Sequence, residues 1–455
     1  MPKLLFTIPT YRPREVQNCV TAYARNFERF GHNTPIIVFD DSSLEKSSIT
    51  LQNLKRVKDE NPFADIWYVG PEEKNTFLKG LHKENPDPLI PNMMKPSYGG
   101  NRNWILLATL GNHFISVDDD IFPYGIFGEG AEKNPNSVLE GHYSATVDGF
   151  KNVEMDIISA YSSMIGMKVK VYMGQNPGTI TGKHLIDSNT DLELNVSVRG
   201  LQDGYVTVEP GVLNKEATIK IVQSYLSGDA DIDSKDIIDE FLKNPKWDTL
   251  RGEVPLKYII NRYEPCVVES DYRLTGAVLG LDNTEGFICF LPTQLRFEDY
   301  IFRKFSHKPN IHVGYCPAVQ THCRNMENRN NIVKDFIIEE IATIIKKTII
   351  NGVKSIDELK VRLEKNPSYD VNDLYELWNS LIRLSKQTNI HQIPGEVFYD
   401  KILEGAISVD GPGEFVSFHV DLIDKEYVQI KESIEIWPEI IEYTKNNPVP
   451  FRKIK

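Results

Sequence analysis

Short apolar runs and longer amphipathic stretches alternate through the first quarter of the chain. Leu4–Ile8, Ile36–Phe39, Ile66–Val69 and His113–Val117 are mostly apolar and of strand length. Between the first two, Arg14–Phe30 places Val16, Val20, Tyr23, Phe27 and Phe30 close to a helical stripe. Asp40-Asp41-Ser42-Ser43 offers caps for a helix to about Asn61, with Leu51, Leu54 and Val57 inward. Residues 70–98 are rich in Pro, Lys and Asn, and predict an irregular segment with a short helix. Gly99-Gly100-Asn101-Arg102-Asn103 opens a helix to about Leu110. Such alternation predicts an α/β fold, a parallel sheet with helices on both faces. Ligands of such sheets bind at the carboxyl ends of the strands. Those ends carry Pro9-Thr10-Tyr11-Arg12, Asp40-Asp41 and Asp118-Asp119-Asp120, so three polar clusters fall on one rim.

The pattern then changes. In 124–255, Lys168–Tyr172 alternates like a strand, and Leu192–Val198 with Tyr205–Val208 reads as a hairpin around Asp203-Gly204. Gly228–Glu240 is acidic and then helical. This region reads as an insertion beside the rim, either a lid or acceptor region or structural elaboration. Apolar strands return in 256–330, at Tyr272–Leu281 and His312–Val319. Between them Gln294–Phe305 places Glu298-Asp299 at a helix start, where the helix dipole favours negative charge. From 331 to 455 the periodicity is helical, at Ile332–Ile350, 356–364, 371–386 and 425–445. The expected division is therefore 1–123 and 256–330 as two halves of one sheet domain, an inserted 124–255, and a helical 331–455 that packs on the sheet or mediates self-association.

Composition narrows the classes. At 455 residues the chain exceeds one typical core. The net charge of −13 argues against nucleic-acid binding, which needs a basic face. No apolar run reaches the length of a membrane span, and Met1–Pro9 lacks the pattern of a signal peptide, so a cytoplasmic location is expected. The five cysteines are odd in number and scattered, which suits a reducing compartment.

The acidic triplet after His113–Val117 carries the chemistry. Clustered carboxylates repel one another unless a cation or basic group lies between them; the plainer reading is a solvated turn. The motifs in chain order resemble the GT-A glycosyltransferases, particularly those like glycosyltransferase family 2. The resemblance covers roughly 3–123 and 270–325. It rests on Thr7-Ile8-Pro9-Thr10-Tyr11-Arg12, on Ile37-Val38-Phe39-Asp40-Asp41-Ser42-Ser43, on Asn101-Arg102-Asn103 with Val117-Asp118-Asp119-Asp120, and on Phe297-Glu298-Asp299 with the later His322.

That resemblance implies a mixed GT-A sheet, Rossmann-like, that transfers sugar from a nucleotide-diphosphate donor with Mn²⁺ or Mg²⁺. It implies a metal set of Asp120, Asp118 and His322, with Asp120 the leading ligand, His322 completing the shell and Asp118 also contacting the ribose or donor sugar. It implies Asp40 accepting from the N3–H of uracil, hence a UDP-sugar before a GDP-sugar. Pro9, Thr10, Tyr11 and Arg12 would lie under the base and phosphates. Arg102 would face the diphosphate or orient Asp118. Asp299 matches the general base of an inverting transfer, with Glu298 the near alternative; Asp119 is expected to be least directly involved. The acceptor stays open among glycans, lipid-linked sugars, proteins and small molecules, and a homo-oligomer is possible. Two departures stand out: the long spacer between Asp120 and Tyr272, and the lack of a Gln-x-x-Arg-Trp type of signature after the paired carboxylates. A retaining transferase of the same fold, a sugar nucleotidyltransferase and a non-catalytic scaffold remain as alternatives. Pro9–Pro13 is not the Gly-rich basic loop that a nucleotidyltransferase would carry there.

Overall fold

The computed structural model describes residues 2–127, 142–144, 151–170, 181–186, 193–197, 216–229, 256–258, 266–268, 274–291, 298–306, 311–323 and 412–455, with isolated positions at 358, 361, 375 and 379. The first half is built as its pattern predicts. Strand β1 (Leu4–Thr10) leads to helix α1 (Pro13–Phe30), β2 (Ile36–Asp40), α2 (Leu44–Glu60) and β3 (Ile66–Val69). Pro13 starts α1, where its missing N–H costs nothing. Val16, Cys19, Val20, Tyr23, Ala24 and Phe27 form its buried stripe. Each large side chain of such a stripe stabilises the fold by about 1.5–3 kcal/mol. The helix ends at Gly31, whose φ of 76° is a left-handed conformation that suits glycine. Ser43 caps α2 by accepting from Lys46 N–H at 3.4 Å.

The segment 70–98 departs from its expectation. It holds two helices, α3 (Pro71–Glu84) and α4 (Leu89–Met94). Pro71 at the first turn and Glu73, which accepts from Gly70 N–H at 3.0 Å, are start signals rather than breakers. Helix α5 (Tyr98–Ala108) begins at Ser97, which accepts from Gly100 N–H at 3.0 Å, and β4 (His113–Val117) follows.

The parallel core has the order β3-β2-β1-β4. The chain moves outward from β1 through β2 to β3, then returns to the other side of β1 as β4. The carboxyl ends of β1 and β4 therefore flank a topological switch point, where open α/β sheets leave a crevice.

After β4 come β5 (Ile121–Phe122), β6 (Tyr124–Phe127), β7 (His142–Ser144), β8 (Lys151–Glu154), helix α6 (Ile157–Ser162), β9 (Lys168–Lys170), β10 (Thr181–Ile186), β11 (Glu193–Ser197) and β12 (Glu216–Asp229). Then follow β13 (Leu256–Tyr258), β14 (Cys266–Val268), β15 (Val278–Asp282), helix α7 (Glu298–Ser306) and β16 (Ile311–His322). The segment expected as an insertion is woven into the sheet. β12 pairs antiparallel with β15 and parallel with β16, and β15 pairs antiparallel with β4. The hairpin partner expected at Tyr205–Val208 and the helices expected at 332–350, 356–364 and 371–386 lie outside the described residues, apart from helical positions 358, 361, 375 and 379.

The long helix α8 (Pro412–Asn446) covers the expected 425–445. Its later turns pack on the sheet domain: buried Trp437 donates to Phe287 O at 2.7 Å, and the Tyr443 ring meets Phe77 edge-on. The chain then adds an unexpected edge strand, β17 (Arg452–Lys453), antiparallel to β3. No helix among the described residues is long and apolar enough to cross a membrane.

Candidate functional site

The acidic triplet turns sharply at the end of β4. Asp118 N–H donates to Ala277 O at 3.1 Å, and Ile121 N–H donates back to Asp118 O at 3.0 Å. The three carboxylates diverge. Asp119 is the buried one. It accepts from Thr10 Oγ1 at 2.6 Å and from Arg12 Nε at 3.2 Å, with a second guanidinium contact through Arg12 Nη2. Burial pushes its carboxyl up to about 7, against the opposing pull of Arg12 and Thr10. Asp119, expected to be least directly involved, ties the end of β1 to the end of β4.

Asp120 faces His322, with Oδ2 3.7 Å from Nε2, and accepts from Arg12 Nη2 at 2.9 Å. Burial raises its carboxyl, but His322 and Arg12 outweigh burial and hold it well below the usual carboxylate range. His322 is the last residue of β16 rather than a loop residue beyond it, and it pairs in register with Ile121. Cys323 N–H donates to Asp120 O at 2.9 Å, which fixes that side of the turn.

Asp118 points elsewhere, accepting from Arg102 Nη2 at 3.0 Å. Arg102 is buried, and each of its nitrogens has an acceptor in the protein: Nη1 reaches Gly276 O at 2.9 Å and Nε reaches Glu298 Oε1 at 3.2 Å. Of the two roles expected for Arg102, orienting Asp118 fits this geometry and facing the diphosphate does not. One guanidinium therefore bridges the end of β4 and the first residue of α7.

The paired carboxylates on α7 are divided. Glu298 is buried against Arg102, and burial, then the charge of Asp299, pushes its carboxyl up to about 7. Asp299 is partly exposed and accepts from Gly276 N–H at 2.9 Å. Of the pair, Asp299 has the access a base needs.

The residues at β2 correct an expectation. Asp40 has no exposed surface. Its carboxylate accepts from Ser42 N–H at 2.8 Å and from Tyr68 Oη at 2.9 Å. A carboxylate so enclosed has no edge to offer a nucleotide base. Next to it, buried Lys74 donates to Asp40 O and to Asn101 Oδ1, each at 3.0 Å, and pairs with Asp41. The sequence reading missed Lys74 and Tyr68. Glu73-Lys74 three residues after Gly70-Pro71 was the available signal, hidden by reading 70–98 as irregular.

Pro9 stands in β1 opposite Phe39, and Tyr11 is 63% exposed on the rim with the Arg12 guanidinium 5.5 Å from its ring centre. Thr10 and Arg12 are engaged with the triplet. The Pro9–Arg12 cluster and the triplet thus meet at the switch point, as the shared rim implied.

Among the described residues, no group of three or more His, Cys, Asp or Glu side chains is gathered to hold a metal ion. The three-residue set of Asp118, Asp120 and His322 is therefore not assembled. Asp120 with His322 alone makes a facing carboxylate–imidazole pair. Mg²⁺ characteristically takes one or two carboxylates and completes its shell with phosphate oxygens and water, and imidazole extends the choice to Mn²⁺. The pair fits that kind of ion. No protein-family model matches the chain, and no curated protein matches it.

Proposed function

We propose that the protein is a metal-dependent glycosyltransferase of GT-A type, which moves a sugar from a nucleotide-diphosphate sugar to an acceptor hydroxyl with inversion. The observation that carries this reading is the Arg102 bridge. It joins the acidic end of β4, beside the switch point, to the first residue of α7, so that Asp118 and Glu298 flank one buried cation with Asp299 next to Glu298 in the chain. A transferase of this kind needs both features: a cation-binding acidic rim for the diphosphate and a separate base for the acceptor.

In this reading Asp120 and His322 hold the divalent ion. Mn²⁺ or Mg²⁺ bound there would neutralise the diphosphate and stabilise the leaving nucleotide diphosphate. Tyr11 presents its exposed ring to the nucleotide. Arg12 is fixed by Asp119 and lends positive charge to the rim. Asp299 takes the acceptor proton as the hydroxyl attacks the anomeric carbon. With Asp40 enclosed, the preference for a UDP-sugar rests on the sequence resemblance alone, so GDP-sugars belong in the same test.

The test is nucleotide diphosphate release from a panel of UDP- and GDP-sugars with Mn²⁺ or Mg²⁺, with and without EDTA. Release that depends on the metal is the expected result. If no nucleotide sugar is bound or turned over under any metal condition, the reading fails.

A further inference from the structure

The side chain that carries the turn behind Asp299 comes from β12, outside the stretches that carry the resemblance. Gln223 is buried on β12, opposite Leu279 of β15 and Tyr315 of β16. Its Oε1 accepts from Thr275 N–H at 2.7 Å, and its Nε2 donates to Tyr315 Oη at 3.3 Å. The Thr275–Gly276 turn is then fastened from the other side by Arg102, which donates to Gly276 O at 2.9 Å. Val278 N–H closes the turn onto Thr275 O at 3.2 Å. The free face of the same turn presents Gly276 N–H to Asp299 Oδ2 at 2.9 Å. A Cβ at Gly276 would lie 2.8 Å from Arg102 Nη2, so a side chain there would push the guanidinium from its place.

The turn is held on both flanks, and its Gly276 N–H donates to the Asp299 carboxylate. We infer that Gln223 is a positioning residue for the general base, acting through Thr275 N–H and the Gly276 N–H that orients Asp299. The inference rests on the proposed transferase activity. It assigns a part in the chemistry to β12, which the sequence placed in an insertion. Gln223 acts through the backbone of the turn, so its effect is expected on rate and not on donor affinity. A shift of about 1 Å in a reacting group costs up to roughly 100-fold in rate.

The experiment compares the full chain with Gln223→Met, which keeps the volume and removes both hydrogen bonds, and with Gln223→Glu, which retains an acceptor for Thr275 N–H. Sugar transfer and UDP binding are measured on each. Gln223→Met is expected to lose about 10- to 100-fold in kcat, with UDP affinity unchanged, and Gln223→Glu to recover to within about threefold of the parent. Should Gln223→Met not fold, Gln223→Asn withdraws the carbonyl by one carbon and carries the same expectation. An unchanged kcat, an equal loss of UDP binding, or no recovery in Gln223→Glu overturns the positioning role while leaving the transferase reading intact. Absence of transfer in the unaltered chain overturns the transferase reading itself, and the positioning role falls with it.

Discussion

Asp118, Asp119 and Asp120 are consecutive, yet their partners differ: Arg102 holds Asp118, Thr10 and Arg12 hold Asp119, and His322 faces Asp120, which shares Arg12. Their variants should separate accordingly. Asp119→Ala takes from Arg12 its main partner while Asp120 still pairs with it, so the cost approaches but does not exceed the roughly 3–5 kcal/mol of a broken buried pair. A large fall in melting temperature is expected. Asp120→Ala should instead abolish metal-dependent nucleotide binding, read by calorimetry with and without Mn²⁺, while melting at a temperature closer to the parent. Equal thermal losses in both would contradict this division. Asp299→Asn should keep donor binding and lose about 10²- to 10⁴-fold in transfer; intact transfer would remove it as the base. Glu298 supplies a pH signature. Its carboxyl is raised by burial and by Asp299 from an ordinary 4.5 to about 7. A raised carboxyl favours the folded state while protonated, so its contribution is complete below about pH 4.5 and lost as pH rises through about 7. Asp119 shifts the same way, so Glu298→Gln should reduce, not remove, the fall in melting temperature across that window. Identical profiles would contradict the shift.

At the scale of elements, the parallel half was legible because its signals are local. Apolar runs, the stripe of Arg14–Phe30 and the caps at Asp40–Ser43 mark β1 to β3 and the helices between them without help from the rest of the chain. The failures share a physical cause. Glu216–Asp229 carries no mark that its partners are Val278–Asp282 and Ile311–His322, far away in sequence, because strand pairing is decided by contacts that sequence spacing does not record. The resemblance made Asp40 a ligand for the base; Tyr68 and the packing of β2 enclose it instead. Arg452–Lys453 is too short to announce a strand at all, and it forms because the β3 edge is there to receive it. Arg452 also pairs with Glu72 and Glu73, and Lys453 lies 5.1 Å from the Trp67 ring centre. Deleting residues 449–455 strips that edge. An open edge strand is a template for pairing with another chain. The shortened protein is therefore expected to melt earlier and to associate in a concentration-dependent way, seen by light scattering. A monomer of unchanged melting temperature would refute it.

Across the whole molecule, the first and last described segments depend on each other. Helix α8 returns to α3 and α4, and β17 completes the sheet on the side of β3 away from the switch point. That closure has a timetable. The Glu72–Arg452 pair joins residues 380 positions apart. At about 5–20 residues per second, synthesis leaves β3 waiting roughly 20–80 s for its last neighbour. For most of that interval a nascent chain that already carries β1 to β4 leaves the β3 edge without β17. The wait of the β3 edge is set by the 380 positions that separate Glu72 from Arg452, with no part played by the chemistry at the rim.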